Sequence, residues 1–164
     1  MKQLLVWFGV LVGMIILAAW LQNGGLKLPK SSISSAPTTK TMKIGDKTIS
    51  IEIAQTTEEK AKGLSERDLL APDSGMLFIM QKNSTPSFWM KGMKIPLDMI
   101  WIDDNKVVDI SEKAQVPDAR IADPDLPRYK PTKQIDYVLE VNSGYAKQNG
   151  IKIGTTVELP AGIE

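Results

Sequence analysis

The chain contains no cysteine and no histidine. Without cysteine there is no disulfide, no thiol nucleophile and no thiolate metal site. Without histidine the commonest general base and the commonest transition-metal ligand are both missing. Neither sign of charge is in excess: 20 lysines and arginines stand against 19 aspartates and glutamates, a formal net charge of +1. Nucleic-acid binders usually carry a basic stripe, so this balance argues against a nucleic-acid partner. A cysteine-free domain folds in either redox compartment, so the absence does not place it on one side of a membrane. The sequence shows no internal repeat.

What is present begins with Leu4 to Leu21, LLVWFGVLVGMIILAAWL, a run without a charged residue. As a helix rising about 1.5 Å per residue it spans roughly 27 Å, enough to cross a hydrocarbon core. Trp7 and Trp20 stand near its ends, where indole rings favour the membrane interface. The expectation is an N-terminal transmembrane helix over residues 1–21, with the membrane as a partner through residues 4–21. A cleaved signal peptide is the competing reading, and the chain is then secreted. Lys2 supplies a short positive region, but Leu17-Ala18-Ala19 is a poor cleavage site and Trp20 follows it. Lys27 and Lys30 outnumber Lys2, so charge counting leans towards a cytoplasmic C-terminal domain. The short N-terminus before a single apolar segment fits the opposite topology, a signal anchor with an extracytoplasmic domain.

Residues 22–40, QNGGLKLPKSSISSAPTTK, are rich in Gly, Ser, Pro and Thr and read as a flexible linker. The folded domain is expected over residues 41–164, and its signals are mostly β. Met42 to Ile44 is a short strand before the turn pair Gly45-Asp46. Lys47 to Ala54 alternates, with Ile49, Ile51 and Ile53 on one face. Thr56 and Glu59 form a capping box for a short helix ending near Gly63. Met76 to Met80 is continuously apolar and suits a strand buried on both faces. Ser87 to Met93, Leu97 to Ile102, Val107 to Ile110 and Tyr137 to Val141 are further strands. Residues 111–136 read as a long irregular loop, a feature uncommon in compact domains unless functional. Gly144 to Asn149 suits one helical turn stopped by Gly150, and Ile151 to Ile153 and Thr156 to Leu159 close the domain. The expected fold is mostly β (α+β by count), a small β-sandwich or distorted barrel with one or two short helices.

Six short segments then stand in a recognisable order. They are Gly63-Leu64-Ser65-Glu66-Arg67, Gly75-Met76-Leu77-Phe78, Phe88-Trp89-Met90-Lys91, Ile95-Pro96-Leu97-Asp98-Met99-Ile100, Val138-Leu139-Glu140-Val141 and Gly150-Ile151-Lys152-Ile153-Gly154. Over about residues 42–160 the chain resembles the prokaryotic family called domain of unknown function 192, or uncharacterised protein family 0127. It departs from that family's pattern at Ser65, where methionine is usual, and at Gly92-Met93, where Asn-Thr is common. The resemblance implies a compact mostly-β domain, often behind a signal peptide or membrane anchor, and implies no reaction.

Asp98 and Glu140 are the sharpest chemical candidates, because each is a carboxylate set inside an apolar strand. A buried unpaired charge is costly, so each needs a partner or a cleft. As a pair they suit acid–base work, cation binding or a structural ion pair with Arg67 or Lys91. Trp89 beside Lys91 suits one wall of a polar ligand groove. Arg67 suits a bidentate clamp on a carboxylate or phosphate. Arg67, Trp89, Lys91, Asp98 and Glu140 are therefore the ligand-binding candidates, with Asp98 and Glu140 the weaker catalytic ones. The acidic stretch Pro117 to Asp125 lacks calcium-loop spacing and contains Arg120, so no metal is expected. No cofactor is implied. The expected role is an accessory or ligand-binding domain for a small polar ligand or a protein partner. The alternatives are a small carboxylate-dependent hydrolase using Asp98 and Glu140, or a structural module assembling with a membrane partner.

Overall fold

A computed structural model describes residues 39–163. The segment read as an anchor and nearly all of the linker lie outside the described residues. Among the described residues no helix is long and apolar enough to cross a membrane.

Seven strands form one sheet: β1 (Thr39–Ile44), β2 (Lys47–Ala54), β3 (Ser74–Ser84), β4 (Leu97–Asp103), β5 (Lys106–Ala114), β6 (Ile135–Asn142) and β7 (Val157–Glu158). Their order is β5-β4-β6-β3-β2-β1-β7. Only β2 and β3 run parallel; the other neighbours are antiparallel. A parallel pair needs a crossover, and helix α1 (Thr57–Lys62) lies within it. Its N-terminus is the expected capping box. Glu59 N–H donates to the Thr56 hydroxyl at 3.1 Å, and Thr56 N–H donates to the Glu59 carboxylate at 2.9 Å. The Thr56 and Gln55 N–H groups both donate to the Glu59 carboxylate and hold its pKa below the ordinary value. The β4–β5 hairpin turns on Asp104 and Asn105, both left-handed at φ 44° and 56°. Such turns match the strand twist and favour these residue types. Helix α2 (Tyr145–Gln148) follows β6.

The sheet curls into a half-barrel. β7 pairs with β1, and residues beside it reach the far edge. Val107 N–H donates to Thr155 O at 2.9 Å, and Val157 N–H to Asn105 O at 2.8 Å. A two-sheet sandwich therefore does not form. One apolar cluster draws on all seven strands and fills the inside of the curl, including Ile49, Leu77, Ile100, Leu139, Val141 and Val157. A second cluster lies on the outer face around Phe78, Met99, Trp101 and Val138. Side chains from irregular segments cover it, among them Leu64, Met90 and Met93.

One expected strand is not formed. Ser87 to Met93 makes a single bridge, Phe88 to Tyr129, and then turns at Lys91-Gly92. Pro86 and Pro96 bracket the segment and Gly92 is left-handed at φ 69°, so it lies across the outer face instead of joining the sheet. Ile151 to Ile153, expected to help close the domain, is irregular. Conversely β5 runs on to Ala114, and the long loop spans 115–134 with a 3-10 turn at Asp123–Asp125. The loop's far end is pinned by Thr132, whose N–H and hydroxyl both donate to Asp109 at 2.8 Å. Burial alone would raise the Asp109 carboxyl, but these bonds and one from Ile110 N–H outweigh it and hold its pKa down.

Candidate functional site

The two embedded carboxylates do not meet. In the β4–β6 register Asp98 stands opposite Val141, and Glu140 opposite Met99. Alternation along a strand sends neighbouring side chains to opposite faces. Asp98 therefore shares the inner face with Ile100 and Val141, and Glu140 the outer face with Met76 and Met99.

Asp98 is fully buried and fully engaged. Its carboxylate accepts from Lys113 N–H at 2.8 Å, Gly144 N–H at 3.0 Å and Ala146 N–H at 3.1 Å. Lys113 sits at φ 54° in an irregular stretch of the β4–β5 pairing, and Gly144 at φ 84° opens α2. Asp98 thus ties two left-handed backbone positions to β4. This is a structural role, and the expected acid–base pair of Asp98 with Glu140 is not assembled.

Arg67 is committed elsewhere as well. Its guanidinium donates to both oxygens of Glu52, at 2.5 and 2.7 Å. That fork is bidentate and charge-assisted, and raises the Arg67 pKa. Glu52 lies in the same outer-face row as Glu140, with Met76 between them. Arg67 therefore reaches neither of the carboxylates expected as its partners.

Glu140 is different. It is 5% exposed, and no hydrogen bond to its carboxyl exists among the described residues. Burial pushes its pKa up to about 8. It opens on a cavity of about 240 Å³ on the outer face. Leu64, Phe78, Met80, Phe88 and Met93 supply its apolar walls, and Ser65 and Ser87 also line it. Trp89 and Lys91 line the same cavity. Three of the five candidates, Trp89, Lys91 and Glu140, are thus brought together, while Asp98 and Arg67 are not.

The rim is basic. Lys60 and Lys62 from the last turn of α1 also line the cavity, and neither has an ion-pair partner among the described residues. Lys91 is neutralised by an ion pair with Asp123 of the long loop. From the same loop the Arg128 guanidinium lies 4.0 Å from the Trp89 ring centroid, a cation–π contact. Lys60, Lys62 and Arg128 are residues that sequence reasoning missed. The two lysines read as an ordinary solvated helix end, and nothing local to residue 128 signals a stacking partner. Among the described residues no three acidic, histidine or cysteine side chains gather as a metal site.

Residues 39–159 match a family model described as Uncharacterized ACR, DUF192. The chain belongs to the DUF192 family. No curated protein matches it significantly. Among solved structures it is similar to a candidate transcription regulator from Sinorhizobium meliloti 1021. The two are 27% identical with a TM-score of 0.67, over 75% of this chain and 95% of that one. It is similar too to a protein of unknown function from Novosphingobium aromaticivorans DSM 12444. That pair is 29% identical with a TM-score of 0.64, over 77% of this chain and 94% of that one.

The departures of this chain from the usual DUF192 pattern have local explanations. Gly92 is left-handed, a conformation that glycine adopts freely and asparagine tolerates better than most residues. Its carbonyl accepts from Glu66 N–H at 2.9 Å, joining two cavity-lining segments. Ser65 lines the cavity and donates its hydroxyl to Lys62 O, closing the turn after α1. Four of the six segments that carry the DUF192 resemblance contribute to this one cavity, through Gly63 to Ser65, through Phe78, through Phe88, Trp89 and Lys91, and through Glu140.

Proposed function

We propose that this chain is a membrane-tethered, extracytoplasmic domain that binds a small molecule in the cavity beside Glu140. Glu140 carries the binding reading. A carboxyl buried in an apolar wall without a partner costs stability, and such groups concentrate where a ligand or substrate completes them. The cavity sets apolar side chains such as Phe78 and Met93 beside polar ones, Ser65, Ser87, Lys91 and Glu140, and ligand sites combine the two. The hydrolase alternative loses its support, since Asp98 faces the inside of the curl and is occupied by three backbone N–H groups. A nucleic-acid role, as the description of the Sinorhizobium protein would suggest, is not adopted for a chain of net charge +1. The tether rests on the apolar run Leu4 to Leu21.

Methionine-methyl NMR tests the binding reading. Met80 and Met93 line the cavity, whereas Met42 lies in the inner cluster. Fragments that bind should shift Met80 and Met93 and leave Met42 in place. Ser87→Trp, at the cavity edge, should abolish those shifts. A fragment set that perturbs none of these methyls at millimolar concentration would sink the reading. Topology is tested separately by phosphatase and fluorescent reporters fused after Glu164; activity of the cytoplasmic reporter alone would reverse the assignment.

A further inference from the structure

One row of the outer face crosses four strands. In register it reads Glu52 on β2, Met76 on β3, Glu140 on β6 and Met99 on β4. The two acids of this row have different surroundings. Glu52 is neutralised by the Arg67 fork. Glu140 stands directly between two methionines, almost wholly buried, with no hydrogen bond or ion pair among the described residues. Residues directly opposite on neighbouring strands have Cβ atoms about 4.5–5.5 Å apart. A methionine and a glutamate side chain together span that gap, so a thioether from either side can meet the Glu140 carboxylate.

Methionine is concentrated on this face. Of the six methionines among the described residues, Met76, Met80, Met90, Met93 and Met99 lie in the outer cluster or pack against it, and only Met42 lies in the inner one. The inner cluster is filled mainly by Ile, Leu and Val. Met80 and Met93 also line the cavity on which Glu140 opens. Methionine serves many cores as a flexible gap-filler. That role accounts neither for the choice of face nor for an unpartnered carboxylate among the thioethers.

A cation completes such an arrangement, and the donor atoms decide which one. Calcium and magnesium take several oxygen ligands, whereas the cavity offers a single carboxylate. Zinc sites draw on cysteine and histidine, which the chain lacks. Thioethers are soft donors and select copper(I). A monovalent ion on one carboxylate also forms a neutral pair, which limits the cost of burying charge.

We propose that Glu140 and the flanking thioethers of Met76 and Met99 bind a soft monovalent cation, copper(I), at the floor of the cavity. This rests on the same unpartnered Glu140 as the binding reading above and does not require an organic ligand.

The test uses the full-length protein in lipid nanodiscs. Silver(I) in chloride-free buffer is a redox-inert probe, and copper(I) is supplied on a competing chelator. Silver(I) should bind at one ion per chain, raise the melting temperature, and shift the Met76 and Met99 methyl signals while Met42 stays in place. Met76→Leu and Met99→Leu conserve side-chain volume. Each should weaken binding of both ions by at least about tenfold, and Glu140→Gln, which removes the charge, should do the same. Met42→Leu should leave affinity unchanged. Magnesium, zinc and methylammonium should not compete. Wild-type affinity in both leucine variants would overturn the proposal, as would competition by magnesium or methylammonium. Should a leucine variant fail to fold, the wild-type methyl shifts decide alone: silver(I) shifts confined to other methionines refute the site. If silver(I) leaves Met76 and Met99 unmoved while a fragment shifts Met80 and Met93, the ion is refuted and the cavity stands as a binding site. If the ion binds as described and no fragment does, the small-molecule reading falls and this one stands. If neither binds, both fall together.

Discussion

Asp98 and Glu140 are the two acidic side chains buried among the described residues, and their surroundings set opposite energetics. Asp98 accepts three backbone N–H bonds, so its loss leaves three buried donors unsatisfied. Asp98→Ala should destabilise the domain by roughly 3–5 kcal/mol, measured by denaturant unfolding. Glu140 has no such partner, and its folded pKa of about 8 lies above the ordinary carboxyl value of 4.5. Between those two values the unfolded chain releases a proton that the folded chain keeps. Stability from this group is therefore full below about pH 4.5 and falls as pH rises, by at most about 1.4 kcal/mol per unit, levelling off above about 8. Glu140→Gln lacks this slope. Thermal melts of the two proteins should differ progressively more from pH 5 to pH 8, with the variant the more stable. Parallel curves would show that Glu140 is ionised in the fold. Both acids were conspicuous in the sequence, because a carboxylate between apolar neighbours needs a partner. The partners were invisible, since Lys113 and Gly144 lie far from Asp98 along the chain.

Strand pairing is where the cavity is most easily disturbed. Gly75 on β3 sits opposite Val141 on β6, and a Cβ there would stand 2.6 Å from Glu140 O and 3.0 Å from Val141 Cγ1. The nearer of these is backbone and cannot rotate away. Gly75→Ala should force β3 and β6 apart, cost about 1–3 kcal/mol, and speed amide exchange on both strands. Unchanged stability and exchange would mean that the two strands already have room. At this scale β2 and α1 were legible, since alternation and the Thr56–Glu59 capping box are local signals. Ser87 to Met93 misled because it alternates convincingly. Membership of a sheet also needs a free neighbour, and the bracketing prolines and left-handed Gly92 take the segment out of the sheet plane.

For the molecule as a whole, β1 is the first of the described elements. It starts at Thr39 and pairs with β2 and β7. Removing residues 1–38 should therefore give a soluble domain with one cooperative thermal transition. A start at Thr41 deletes the Thr39–Glu52 and Lys40–Ile51 pairs and the bond from Lys40 Nζ to Ala161 O, and should melt lower. Equal melting temperatures would show that the first two residues of β1 do not contribute.

By itself the sequence determined what depends on near neighbours along the chain. The β character of the domain, the alternation of β2, the capped helix, the Asp104-Asn105 turn and the DUF192 segments are of this kind. Absence of histidine and cysteine likewise narrowed the chemistry before any fold was known. Only the tertiary structure decided which candidate residues meet. The order β4-β6-β3 puts Glu140 between Met99 and Met76, and a one-residue offset from Asp98's partner Val141 sends the two acids to opposite faces. Strand order and register are set by packing of the whole sheet, and no local pattern encodes them.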